Sequence, residues 1–261
     1  MYQAGRPAPA LHIAGLHKRF DAHVAVERID LAVPRGCLYG LVGPNGAGKS
    51  TTMRMASGLL RPDAGVVRVE GVDVWADPID ARRRIGVLPE RLALLDRLTT
   101  LELLHYVGLL HGLDRATVVD RADALIDVLG LDAHRGALVA DLSQGNRKKV
   151  GLAQALVHRP SLLLLDEPFE SMDPISALAA QRVLRRYVDG GGSVVLSSHV
   201  MPVVERCCDR VAVIHRGRIV AGGEIADVCA GRSLEQAFTE LVGGREAADE
   251  EALWWFDTSS A

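Results

Sequence analysis

Residues 38–51 read LYGLVGPNGAGKST: an apolar run, then a glycine-rich loop, then a lysine and two hydroxyl residues. Gly43, Gly48, Lys49 and Ser50 stand in the G-x-x-x-x-G-K-S spacing of a phosphate-binding loop. Glycines let the backbone turn so that N–H groups point inward at phosphate oxygens. The lysine then reaches the β- and γ-phosphates, and the Ser50 hydroxyl is placed to ligate Mg²⁺. A glycine-rich turn could match this pattern by chance. The flanks argue otherwise, because a strand-like run precedes the loop and the helical TTMRMASGLL follows it.

Working outward, short β-like runs recur on both sides of the loop: LHIAGL (11–16), IDLAV (29–33), CLYGLVG (37–43) and VVRVEG (66–71). Later come SLLLLD (161–166), SVVLSS (193–198) and RVAVIH (210–215), continuous apolar runs of the kind buried on both faces of a parallel sheet. The expected fold is α/β: a P-loop NTPase (RecA-like) core with an N-terminal antiparallel β portion. The stretch from Leu92 to Leu156 is helical in period and poor in strands. Thr99 and Glu102 stand in capping-box spacing, and Val118, Ala122, Leu125, Ile126 and Leu129 share one helix face before Gly130. The expected organisation is therefore an ATP-binding α/β core over 1–91 and 157–230, an all-helical subdomain over 92–156, and a short C-terminal segment with an acidic tail over 231–261. Within that tail, Trp254 and Trp255 either pack back on the body or dock a partner.

Two further runs end in chemically useful residues. Asp166 closes an all-leucine strand, where it would sit beside the phosphate loop and hold Mg²⁺. Glu167 follows at once and is placed to take a proton from an attacking water. An isolated Asp-Glu pair could equally be solvated loop charge. His199 ends the run VVLSSHV; a structural histidine is the plain alternative to one within reach of a γ-phosphate.

Composition narrows the class. The net charge is -3, which argues against a nucleic-acid partner. The four cysteines, Cys37, Cys207, Cys208 and Cys229, have no metal-ligand spacing and read as free thiols. The opening MYQAGRPAPA lacks the layout of a secretory signal, and no run approaches the ~20 apolar residues of a spanning helix. Any work at a membrane is expected to need another chain for the span.

LSQGN (142–146) followed by RKKVGLAQAL resembles the signature of ATP-binding cassette (ABC) ATPases, usually LSGGQ. The other motifs match that family in order: GPNGAGKST, the Pro89-Glu90 turn, LLLLDEP, SMDP and SSHV, over roughly residues 10–225. The resemblance implies ATP contacts at Phe20, which stacks on adenine from KRF (18–20), and at Gly43, Asn45, Gly46, Gly48, Lys49, Ser50 and Thr51. It implies Mg²⁺ ligation by Ser50, Glu90 and Asp166, and catalysis by Glu167 with His199. It also implies a head-to-tail dimer with a second ABC ATPase subunit, the same chain or a different one. There Ser143 and the Gly145 N–H would cap the ATP held by the partner, and Asp173 of SMDP would lie in the interface loop. Three positions depart from the usual pattern. Glu90 stands where glutamine is common and adds negative charge, Asn146 replaces glutamine, and Ser171 replaces glycine.

The function so implied is the ATP-hydrolysing subunit of a transporter, held at the cytoplasmic face of the membrane by a separate transmembrane permease. The Pro-Glu turn, the LSQGN-type signature and the short region after GRIVAGG resemble bacterial drug and ABC-2-type exporter ATPases. A soluble ABC ATPase, such as an iron–sulfur assembly ATPase, is the alternative. Chromosome-maintenance types place long coiled coils between the phosphate loop and the signature, and here that interval is short. A P-loop small-molecule kinase would need neither the signature nor a Glu after Asp166.

Overall fold

The structure, a computed structural model, describes residues 8–242. Its chain starts with two long antiparallel strands, β1 (Leu11–Phe20) and β2 (His23–Val33). Leu11 and Ile13 bury one face of β1, but the next buried residue is Leu16, one position late for a period of two. The slip occurs at Gly15, whose φ of 60° inserts an extra residue and whose N–H donates to the Asp30 carboxylate at 2.7 Å. Strands β3 (Leu38–Val42), β4 (Ala64–Val69) and β5 (Val72–Asp73) follow, with helix α1 (Lys49–Ala56) after β3. The first sheet is antiparallel, in the order β2-β1-β4-β5.

The chain then passes through α2 (Pro78–Arg84) and β6 (Ile85–Leu88) into three helices, α3 (Thr100–Leu110), α4 (Arg115–Val128) and α5 (Gln144–Leu156). Thr99 and Glu102 form the reciprocal capping box: the Glu102 N–H donates to the Thr99 hydroxyl at 3.2 Å, and the Thr99 N–H donates to the Glu102 carboxylate at 2.8 Å. The rest alternates: β7 (Leu162–Asp166), α6 (Pro174–Asp189), β8 (Ser193–Ser198), α7 (Met201–Cys207), β9 (Arg210–His215), β10 (Arg218–Glu224), α8 (Ile225–Cys229) and α9 (Leu234–Val242). The second sheet runs β10-β9-β3-β8-β7-β6, parallel except for β10 at its edge.

The four leucines of β7 show what this sheet separates. Leu162 and Leu164 join a core shared with β1, β2, β4 and α1, whereas Leu163 and Leu165 join a core shared with α3–α6. Both faces are dry, so an unbroken leucine run is stable there, each side chain contributing about 1.5–3 kcal/mol by burial. Leu103, Leu104, Ala122 and Ile126 of the helical stretch lie in the same cluster as Leu163, Leu165 and Leu196. The α3–α5 region thus shares apolar packing with one face of the sheet. Among the described residues no helix is long and apolar enough to cross a membrane. Trp254 and Trp255 lie outside the described residues.

Candidate functional site

Sheet register assembles the site. Strand β8 lies between β3 and β7, pairing Val42 with Ser198 and Asp166 with Ser197. The ends of three neighbouring strands therefore deliver the phosphate loop, His199 and the Asp166-Glu167 pair to one edge, the usual ligand position in an open α/β sheet.

The loop after β3 needs its glycines. A Cβ on Gly43 would lie 2.2 Å from the Ile214 carbonyl oxygen, and one on Gly48 2.5 Å from that of Ala25. Gly48 also has φ 105° and caps α1 without any side-chain hydrogen bond, so no side chain occupies the first-turn N–H groups, which face outward as an anion site. Lys49 is 5% exposed, and its ammonium donates to the carbonyls of Gly43 at 2.7 Å and Pro44 at 3.1 Å. Burial lowers its pKa; the nearby carboxylates of Glu167, Asp166 and Glu90 oppose that shift.

The carboxylates meet around Ser50 and Ser197. The Ser50 hydroxyl donates to Glu90 Oε2 at 3.2 Å. The Ser197 hydroxyl donates to Asp166 and accepts the Glu167 N–H at 3.0 Å. Burial raises the pKa of Asp166, an effect the Ser197 hydrogen bond partly offsets. Hydroxyl and carboxylate oxygens from Ser50, Glu90 and Asp166 form a hard-donor set suited to Mg²⁺. Glu167 is buried with φ 48°, a left-handed conformation that costs a non-glycine residue about 1–2 kcal/mol. It turns the chain sharply off β7. Its Oε1 lies 2.9 Å from His199 Nδ1 and 4.0 Å from Lys49 Nζ.

These groups open on a cavity of about 480 Å³, lined by Phe20, the loop residues Asn45 to Thr51, Glu90, Glu167 and His199. Phe20 is 43% exposed at its rim, a flat surface free to stack. Ser143, Gly145 and Asp173 are absent from this lining. Ser143 caps α5 by accepting the Asn146 N–H at 3.3 Å, and its side chain is exposed. Gly145 packs so closely on the loop before α6 that a Cβ would lie 2.7 Å from the Ser171 carbonyl oxygen. Asp173 caps α6, accepting from Ile175 and Ser176 at 3.0 Å each. Asn146 is turned aside, its Nδ2 lying 2.9 Å from His134 Nε2. Sequence reasoning missed Ser197, which holds the Asp166 carboxylate and the Glu167 backbone N–H, and Lys148, whose ammonium reaches the Glu90 carbonyl at 3.2 Å and the Asp166 carbonyl at 3.4 Å. The polar Ser-Ser ending of an otherwise apolar strand was the available signal for Ser197.

A phosphate loop at the edge of a parallel sheet, with a buried aspartate on the neighbouring strand end, defines a P-loop NTPase. The ABC transporter family description matches residues 26–170, more than half of the chain, and the chain belongs to that family. It is thus an ABC-type ATP hydrolase, the ATP-binding subunit type of the family. The daunorubicin/doxorubicin resistance ATP-binding protein of Streptomyces peucetius is 40% identical over 223 residues, 85% of this chain and 68% of that protein. The linearmycin resistance ATP-binding protein of Bacillus subtilis is 33% identical over 219 residues, 84% of this chain and 70% of that protein. A solved structure of the ATP-binding subunit of an ABC transporter superimposes with a TM-score of 0.84 at 30% identity, covering 89% of this chain and 99% of that one.

Proposed function

We propose that two cassettes, this chain with a second copy or a related subunit, close head to tail around two ATP molecules and drive a separate membrane permease, in the direction of export. One observation carries the dimer: Ser143 and Gly145 stand at an exposed helix N-terminus outside the cavity that gathers Lys49, Glu90 and Glu167. Each chain offers a phosphate-holding half and a capping half, and neither completes a site alone. Ile175, 81% exposed two residues beyond Asp173, gives the same side of the molecule an apolar surface to cover. Export is supported by the similarity to the two drug-resistance subunits.

In this reading Phe20 stacks on adenine, the α1 N-terminus and the residues from Gly43 to Thr51 cradle the phosphates, and Lys49 holds the β- and γ-oxygens. Ser50, Asp166 and Glu90 would hold Mg²⁺, which supplies charge neutralisation at the phosphates. Glu167 takes a proton from water as that water's oxygen forms a bond to the γ-phosphorus and the bond to the β-bridging oxygen breaks, giving ADP and phosphate. His199, bonded to Glu167, keeps the carboxylate aimed and lies beside the phosphate departing. Inward- against outward-facing membrane vesicles carrying the chain and its co-purified permease test the direction. ATP-driven movement of cargo away from the ATPase side supports export; movement toward it overturns export.

A further inference from the structure

Helix α5 carries an unusual cation. Lys148 is 4% exposed, one turn beyond Ser143, on a helix whose next residues include the buried Val150 and Leu152. Among the described residues it makes no ion pair within 4.0 Å, unlike Lys49, which reaches Glu167. Its two hydrogen bonds instead go to backbone carbonyls, and those belong to Glu90 and Asp166, two of the residues assigned to Mg²⁺. Four carboxylates, Glu170, Asp166, Glu90 and Glu167, surround it electrostatically. A buried ammonium is costly unless hydrogen-bonded or balanced by nearby negative charge. Here the balance comes from that surrounding negative charge, with Glu170 foremost.

The same helix reaches the other half-site. At its first turn Ser143 is exposed, and Gly145 rests against the Ser171 backbone of the loop that carries Asp173. Lys148 thus links this helix to the backbone of both Mg²⁺-side residues. We propose that Lys148 is a positioning residue that couples the two ATP sites, joining the helix that caps the partner's nucleotide to the backbone carbonyls of Glu90 and Asp166 in its own site, with Glu170 as its foremost charge counterpart. This coupling rests on the reading of the site given above.

The test is ATP turnover by the full chain, measured against ATP concentration, for Lys148→Gln, Glu170→Gln, the double variant and Lys148→Arg, with thermal melting of each. The account expects a Hill coefficient above 1 in the unaltered chain. Lys148→Gln should lower kcat roughly tenfold with little change in KM and bring the Hill coefficient to about 1. In the Glu170→Gln background the same replacement should cost less than about twofold more, because the two charges are removed together. Lys148→Arg should keep the Hill coefficient of the unaltered chain. An equal loss in both backgrounds, or an unchanged Hill coefficient in Lys148→Gln, overturns the proposal; so does a coefficient of 1 in the unaltered chain. If Lys148→Gln alone fails to fold, the double variant should recover folding, and its failure to do so also overturns the proposal. Normal turnover in Glu167→Gln refutes the reading of the site itself, and the coupling with it.

Discussion

The two regions proposed to handle phosphate are built in opposite ways. Around Lys49 the charged groups have local partners: carbonyls for the ammonium, Ser197 for the Asp166 carboxylate and the Glu167 N–H, and His199 for the Glu167 carboxylate. Around Ser143 the cap bond to Asn146 is made, but the residue is exposed and stands outside the cavity that gathers Lys49. In the proposed reading the first region is preorganised to do chemistry, and the second is completed by another chain. That asymmetry is the physical ground for a working unit larger than one chain.

The comparison can be broken most severely at Glu167. Glu167→Gln should cut turnover by about 10²–10⁴, the usual worth of general-base help, while ATP binding survives and an ATP-stabilised dimer accumulates. Single-turnover kinetics with size-exclusion chromatography checks both halves; near-normal turnover contradicts the assignment. Next in size, Gly48→Ala puts a Cβ 2.5 Å from the Ala25 carbonyl oxygen at φ 105°. Strain and overpacking together should cost about 2–5 kcal/mol of stability and abolish nucleotide binding. Gly46→Ala, at φ 79° but in open space, should cost only about 1–2 kcal/mol. Chemical denaturation of the pair measures the difference, and equal losses would mean that loop crowding is unimportant.

The signature side should also be the more acid-sensitive. His158, just beyond α5, stacks on His111 at the end of α3 with ring centroids 3.7 Å apart. Burial, with His111 adding to it, pulls its pKa down to about 4 from 6.5. The folded state therefore keeps it neutral while the unfolded chain takes up a proton as pH falls below about 6.5. Stability from this group is complete above that pH and is lost as pH falls toward 4, by up to about 3 kcal/mol. Melting against pH should show this slope in the unaltered chain and a shallower one in His158→Gln; identical slopes would exclude His158 as its source.

Much of this architecture was legible because it is written in contiguous residues. GPNGAGKST and LLLLDEP each carry their strand, loop and chemistry within about ten positions, so neither required knowledge of distant neighbours. Features set by sheet register were not legible. Ser197 gains its role only because β8 pairs Asp166 with it, and Lys148 only because α5 crosses the ends of β6 and β7. Short edge strands hid for another reason: β6 has four residues and β10 has Gly222 and Gly223, leaving too little periodicity to mark them. The early half of β2 was obscured by its exposed histidine and valine and by Arg28 at φ 54°, where the strand is irregular.

The central claim is that the exposed end of α5 completes the phosphate site of another chain. It is tested most directly by cross-linking two isotopically distinct populations, one carrying Ser143→Cys and the other Asn45→Cys, both with Glu167→Gln. With ATP present, the account predicts a cross-link joining the signature peptide of the first population to the phosphate-loop peptide of the second. A cross-link that forms equally without ATP, or that never joins the two populations, would contradict it.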